Sequence, residues 1–285
     1  MENENSSRAP HQKKLQEKAK RAKTSKSYSD ILSTIIHEGE SMFALQNKTV
    51  FWSAILAGLE IGFSYLLICA LYFFWKGTLT DATIFKLFSI VYPAGFIMVI
   101  VGKSALFTEQ TSILVLPVLN DQRSIWQLLR IWVNVIIGNV IGGMIFVFFI
   151  GFLAPEMNLF THQVMANIGK HVLNYSSVVI FLSAVTAGWL MGLLTWLVSS
   201  IVNSITRVMI IFMITAIIGF GGFHHSIVGN IEVFGALLFS DTVTILDYLR
   251  FLALALLGNG IGGAIVVALF KYRVFQSNYT ERTSS

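Results

Sequence analysis

The sequence predicts an all-α membrane protein of six transmembrane segments, built as two inverted three-span repeats with spans 2 and 5 broken. Three observations predict it. Charged residues are 12% of the 285-residue chain and hydrophobic residues 55%, whereas soluble domains carry about 25% charged residues. The apolar residues gather into long runs, and a bilayer crossing needs roughly 20 such residues. Two of the runs carry the same motif at a constant offset. Mean hydropathy is +0.70.

The chain opens on a basic tail. Lys13, Lys14, Lys18, Lys20, Arg21, Lys23 and Lys26 predict a disordered cytoplasmic arm over 1–27, whose charge suits anionic lipid. No folded basic surface follows, so nucleic acid is not an expected partner. The stretch also lacks the short apolar core and cleavage site of a signal peptide. Over 28–47, Ile31, Leu32, Ile35, Ile36, Met42 and Phe43 recur near helical spacing. With Ser29 as N-cap, they predict an amphipathic helix along the cytoplasmic interface. The six-span channel domain is expected over 48–272, as repeats 48–152 and 170–272, with a second cytoplasmic tail over 273–285.

The six hydrophobic segments run near 51–75, 84–119, 125–152, 178–199, 205–239 and 247–271. The second and fifth are too long for one crossing. Gly102, Lys103, Ser104 and Thr108 interrupt the second, and Gly219, Gly221, Gly222, His224, His225 and Gly229 interrupt the fifth. An even number of spans puts both termini on one side. Residues 1–50, the 120–130 and 200–207 loops and the C-terminal tail hold 15 Lys and Arg, against four in the opposite loops. The positive-inside bias therefore predicts cytoplasmic termini.

The repeat is the most informative feature. Gly138-Asn139-Val140-Ile141-Gly142-Gly143 in span 3 returns as Gly258-Asn259-Gly260-Ile261-Gly262-Gly263 in span 6. Ser53-Ala54, Ala57-Gly58 and Gly62 in span 1 return as Ser183-Ala184, Ala187-Gly188 and Gly192 in span 4. Three spans per unit is an odd number, so the second unit enters the membrane from the opposite side. In such folds the substrate site lies near the midplane where broken helices meet. Irregular backbone survives there only if it is buried in protein or lines a watery cavity. The glycines suit close helix packing. Asn139 and Asn259, together with Asn134, are expected to satisfy the backbone groups that the breaks leave open.

Three stretches resemble the formate/nitrite transporter family: Leu106-Phe107-Thr108 in the second break, Trp132 to Asn139 in span 3, and Gly222-Phe223-His224-His225-Ser226-Ile227 in the fifth break. The resemblance covers roughly 28–272. It implies an aquaporin-like inverted-repeat fold assembled as a homopentamer of the inner membrane, with one pore per protomer. Formate, nitrite, hydrosulfide or a similar small monovalent anion is implied as the permeant species. By position it makes His225 the central pore histidine and Thr108 a member of the facing loop. The chain departs from the family at Ser176, where a Lys is common, and at Lys103, where a small residue is common. With Glu109 and Glu232 it resembles a divergent subgroup, inner-membrane proteins of unassigned substrate.

Ionisable groups inside spans usually pair or face water. Lys103 is therefore either a pore cation or half of a buried pair with Glu109 or Glu232. Histidine exchanges protons near physiological pH, so His225, partnered by Thr108, is expected to link passage of a weak-acid anion to a proton. Leu106, Phe96 and Ile218 are the candidate apolar constrictions. The competing reading is an aquaporin-like pore for small neutral solutes, disfavoured because no Asn-Pro-Ala pair occurs. No enzyme activity, cofactor or metal is expected: His224 and His225 lack helical metal-ligand spacing, the lone Cys69 offers no thiolate cluster, and no phosphate-binding loop stands out.

Overall fold

The computed structural model describes residues 26–284; the basic tail residues Lys13 to Lys23 lie outside them. Helix α1 (Tyr28–Phe43) starts where Ser27 accepts from the Asp30 N–H while the Asp30 carboxylate accepts from the Ser27 N–H. The cap is thus Ser27 rather than Ser29, because only Ser27 has an acidic partner three residues on. The Ser27 hydroxyl holds Asp30 below the ordinary aspartate range. Ile31, Leu32 and Ile35 pack against Ile113, Leu116, Trp196 and Tyr272. The apolar face of α1 is therefore docked on protein. Glu40 fastens the same helix to Arg123, with N···O distances of 2.6–3.0 Å.

Among the described residues, six helices are long and apolar enough to cross a membrane: α2 (Asn47–Trp75), α3 (Asp81–Gly102), α5 (Ile125–Glu156), α7 (Ser177–Ser200), α8 (Ser204–Gly221) and α10 (Ile245–Ser277). Their outward faces are apolar, with Trp52, Phe148, Phe149, Phe152, Leu182 and Trp189 all exposed, as a lipid-facing surface requires. α3 is jointed at Tyr92-Pro93, where proline removes a backbone donor. α10 passes through a π-helical stretch over Gly262–Leu269.

Two half-length helices, α4 (Phe107–Leu119) and α9 (Ser226–Phe239), complete the broken segments. α3 and α8 each end in a left-handed residue (Lys103, φ 64; Gly222, φ 64), and the chain turns there to start a half-helix. Between α5 and α7 lies α6 (His162–Leu173), which the sequence analysis did not anticipate. It is too short and polar for a span. It buries Val164, Met165 and Ile168, and its Gly169 sits against α9 at the Glu232 carbonyl.

The two repeats share their packing. α2 crosses α5 where Gly58 meets the Asn139 carbonyl, and α7 crosses α10 where Gly188 meets the Asn259 carbonyl. A Cβ at either glycine would collide with that oxygen, which is why these positions carry no side chain.

Candidate functional site

The site is built from the two returns of the chain. In the first, Asn139 on α5 accepts from the Phe107 N–H at 2.9 Å and donates to the carbonyls of Ala105 and Ala54, both at 2.8 Å. In the second, Asn259 on α10 accepts from the Ser226 N–H at 2.7 Å and donates to His224 and Ala184, at 3.1 and 2.7 Å. Ser53 and Ser183 add the same bond in each unit, accepting at 3.0 Å from Ala105 and His224. Both asparagines are fully buried. These bonds satisfy backbone groups that helix geometry leaves open at half-helix starts. The two serines were legible as part of the repeat but not as braces. Asn134 does something else: its amide donates to the Asn47 carbonyl at 2.8 Å, at the exposed start of α2, so it supports no break.

The two returns present matching N-caps to the centre. Leu106 caps α4 at φ −97, ψ 127, and His225 caps α9 at φ −100, ψ 127. His225 Nδ1 accepts from the Val228 N–H at 3.3 Å, and Nε2 lies 2.8 Å from Thr108 Oγ1. A backbone N–H only donates, so Nδ1 carries the lone pair and Nε2 the proton. Nε2–H therefore donates to Thr108, whose own hydroxyl hydrogen remains free for a further acceptor. Phe96 stands edge-on to the imidazole at 4.9 Å between centroids. Phe96, Leu106 and Ile218 are all fully buried. His224 ties the return to its neighbours, through Ser183 at 2.8 Å and the Val172 carbonyl at 3.1 Å.

Cavities approach this closed centre from both sides. On the side away from α1, a cavity of about 250 Å³ reaches His225, with Phe85, Tyr92, His171, Ile218 and Glu232 among its lining. Burial holds the His171 imidazole below its ordinary value. On the α1 side, a cavity of about 300 Å³ is lined by His37, Glu38, Lys103, Glu109 and Arg207. Lys103 pairs there with Glu38 at 2.7 Å, its side chain 62% exposed. It pairs with neither Glu109 nor Glu232. Glu232 lies in the opposite cavity, and Lys103, capping the end of α3, stands at the mouth on the α1 side. Glu38 was the residue sequence reasoning missed, because docking of α1 over the mouth is a tertiary event.

A family model described as formate/nitrite transporter matches residues 29–273. The chain belongs to the formate/nitrite transporter family. Among relatives of this transporter, the "Inner membrane protein YfdC" of Escherichia coli (strain K12) is 29% identical over 251 residues, 87% of this chain and 79% of that protein. The "Formate-nitrite transporter" of Plasmodium falciparum (isolate 3D7) is 25% identical over 264 residues, 86% and 83% respectively. The fold resembles an "FNT family ion channel" with a TM-score of 0.77 at 19% identity, covering 86% of this chain and 99% of that one. It also resembles a "Pentameric formate channel with formate bound", with a TM-score of 0.69 at 21% identity, covering 81% and 98%. The transporter is thus an integral membrane protein of a family of channels and transporters, with the all-helical six-span fold the sequence predicted.

Proposed function

We propose that this transporter conducts small monovalent anions, formate or nitrite among them, as a homopentamer with α1 and both chain ends on the cytoplasmic side of the inner membrane. Each unit of three spans inverts the next, and the pathway runs between the two cavities through the His225–Thr108 pair. That pair is the observation that carries the reading. Thr108 offers a free hydroxyl hydrogen to an anion, beside the positive N-terminal end of α9. Phe96, Leu106 and Ile218 close the route to water.

His225 serves here as the binding and positioning group. The sequence reading made it the proton-exchanging group, and its hydrogen bonds oppose that role. A second proton can enter only at Nδ1, where it would face the Val228 N–H and remove the cap of α9.

The test is flux in liposomes with formate, nitrite, hydrosulfide, acetate and glycerol. Thr108→Val removes one hydrogen bond to a charged group, worth about 1.5–3 kcal/mol, so anion flux should fall roughly 10- to 150-fold in protein that still assembles. Glycerol passing faster than every anion in the wild type would refute the reading and favour the neutral-solute pore.

A further inference from the structure

The cavity on the side away from α1 holds an acid that anion binding at Thr108 does not use. Glu232 follows His225 by seven residues, two turns along α9 on the same face, and it lines that cavity. It is 8% exposed, and its carboxyl has no hydrogen-bond or ion-pair partner among the described residues. The basic and imidazole groups of the lining do not pair with it. Lys86, at the exposed rim, donates to the Phe220 carbonyl at 2.8 Å and lies 4.8 Å from the centre of the Phe220 ring. His224 is held by Ser183 and the Val172 carbonyl, and His171 lies flat against Phe85 at 3.5 Å between centroids. Tyr65 and Cys69 of α2, within electrostatic reach of Glu232, bring no positive charge. The rest of the lining is rich in rings, with Phe88 and Tyr92 from α3, Tyr175 from the α6–α7 connection, Phe223 from the second return and Phe251 from α10. The cavity opens past Lys86, Tyr175 and Gly222, all exposed.

A lone carboxylate inside a span is expensive, and such groups pair or face water. A cation in the cavity meets that need, and the lining selects its kind. A hard inorganic ion takes about six or more oxygen ligands. Here Glu232 is the one carboxyl of the lining, and no cluster of three or more metal-ligating side chains occurs among the described residues. Aromatic rings attract a cation through their quadrupole and also bury an apolar body. We infer that this cavity is a binding site for a small organic ammonium ion, its head on the Glu232 carboxylate and its alkyl chain among Phe88, Tyr175, Phe223 and Phe251. The cavity volume of about 250 Å³ lies below the roughly 300–1,000 Å³ of drug-sized pockets, so the ligand is a chain of a few carbons. The occupant stands between the open rim and His225. Anion passage as proposed above should therefore slow while the cation is bound, but binding itself does not depend on that reading.

Isothermal titration calorimetry of the full-length assembly in detergent micelles at neutral pH tests the site, with n-butylammonium, n-butanol and butyrate as probes. The first is a cation under these conditions, as a lysine side chain is; the other two keep the chain and change the head. n-Butylammonium should bind, and the other two should bind about tenfold or more weakly, having no charge to set against the carboxylate. Glu232→Gln keeps the size of the side chain and removes its charge. It should weaken n-butylammonium roughly 10- to 150-fold, the scale of a hydrogen bond to a charged group, and leave n-butanol unchanged. Equal binding of n-butylammonium and n-butanol by the wild type would overturn the inference, as would wild-type ammonium affinity in the assembled Gln variant. If the Gln variant fails to assemble, Tyr175→Leu at the exposed mouth decides. It should weaken n-butylammonium about 2- to 30-fold, the scale of a cation–π contact, and an unchanged affinity there overturns the site. Formate flux in liposomes, with and without n-butylammonium, separates the two readings. If the cation binds with the expected pattern while formate never passes, the anion-transport reading fails and the cation site stands.

Discussion

Replacing Asn139 with Ala removes the three hydrogen bonds that hold the first return. The Ala54 carbonyl lies inside α2, two turns from its start, and keeps its helical partner, so its loss is small. The Phe107 N–H and Ala105 carbonyl lie at the start of α4 and have no other hydrogen-bond partner among the described residues. Each orphaned buried group costs about 1–3 kcal/mol. Side-chain hydrogen bonds in membrane proteins average nearer 0.6 kcal/mol, because the chain finds other partners in the unfolded state. Here the partners are backbone groups of a rigid return, so each is expected to cost about 1–2 kcal/mol, above that average. The expected loss is about 2–4 kcal/mol, or roughly a 30- to 1000-fold change in the folding equilibrium. Asn259→Ala should match it, since its three bonds repeat the same set. Asn134→Ala, with one bond at an exposed helix start, should cost about 1 kcal/mol or less. Reversible unfolding of each variant in mixed detergent micelles measures all three. If Asn139→Ala and Asn134→Ala lose the same stability, the reasoning about the braced returns is wrong.

Three other outcomes are expected. Gly58→Ala, a change that in an open helix position gains about 1 kcal/mol, should instead destabilise, because the new Cβ meets the Asn139 carbonyl; thermal unfolding gives the sign. Lys103→Met should change stability by under about 1 kcal/mol, as for exposed ion pairs, yet lower anion flux, with the difference shrinking in high salt as screening removes the cation's pull. Asp30, held below its ordinary range by Ser27, stabilises the start of α1 fully above the ordinary aspartate value. That contribution is lost as pH falls through the lower folded value, so hydrogen exchange over the first turn of α1 should accelerate only in strong acid, and not in Asp30→Asn.

The sequence by itself determined the six crossings, the two breaks and the duplication. These follow from local demands that any bilayer imposes: apolar length for each crossing, and internal partners for every backbone polar group. Asn139 and Asn259 were legible for the same reason, since an amide repeated inside two apolar runs answers a need created by the breaks. Helix α6 was not legible, because its apolar stripe has meaning only against α9. Other features depended on how helices are rotated and where the returns stop. Packing brings Thr108 within 2.8 Å of His225 across 117 residues of chain. It carries Lys103 to the α1 side and Glu232 to the far cavity. Length and periodicity set what crosses the membrane, but the convergence of side chains at its centre is decided by helix–helix contact, where glycines such as Gly58 and Gly188 set the distance of approach.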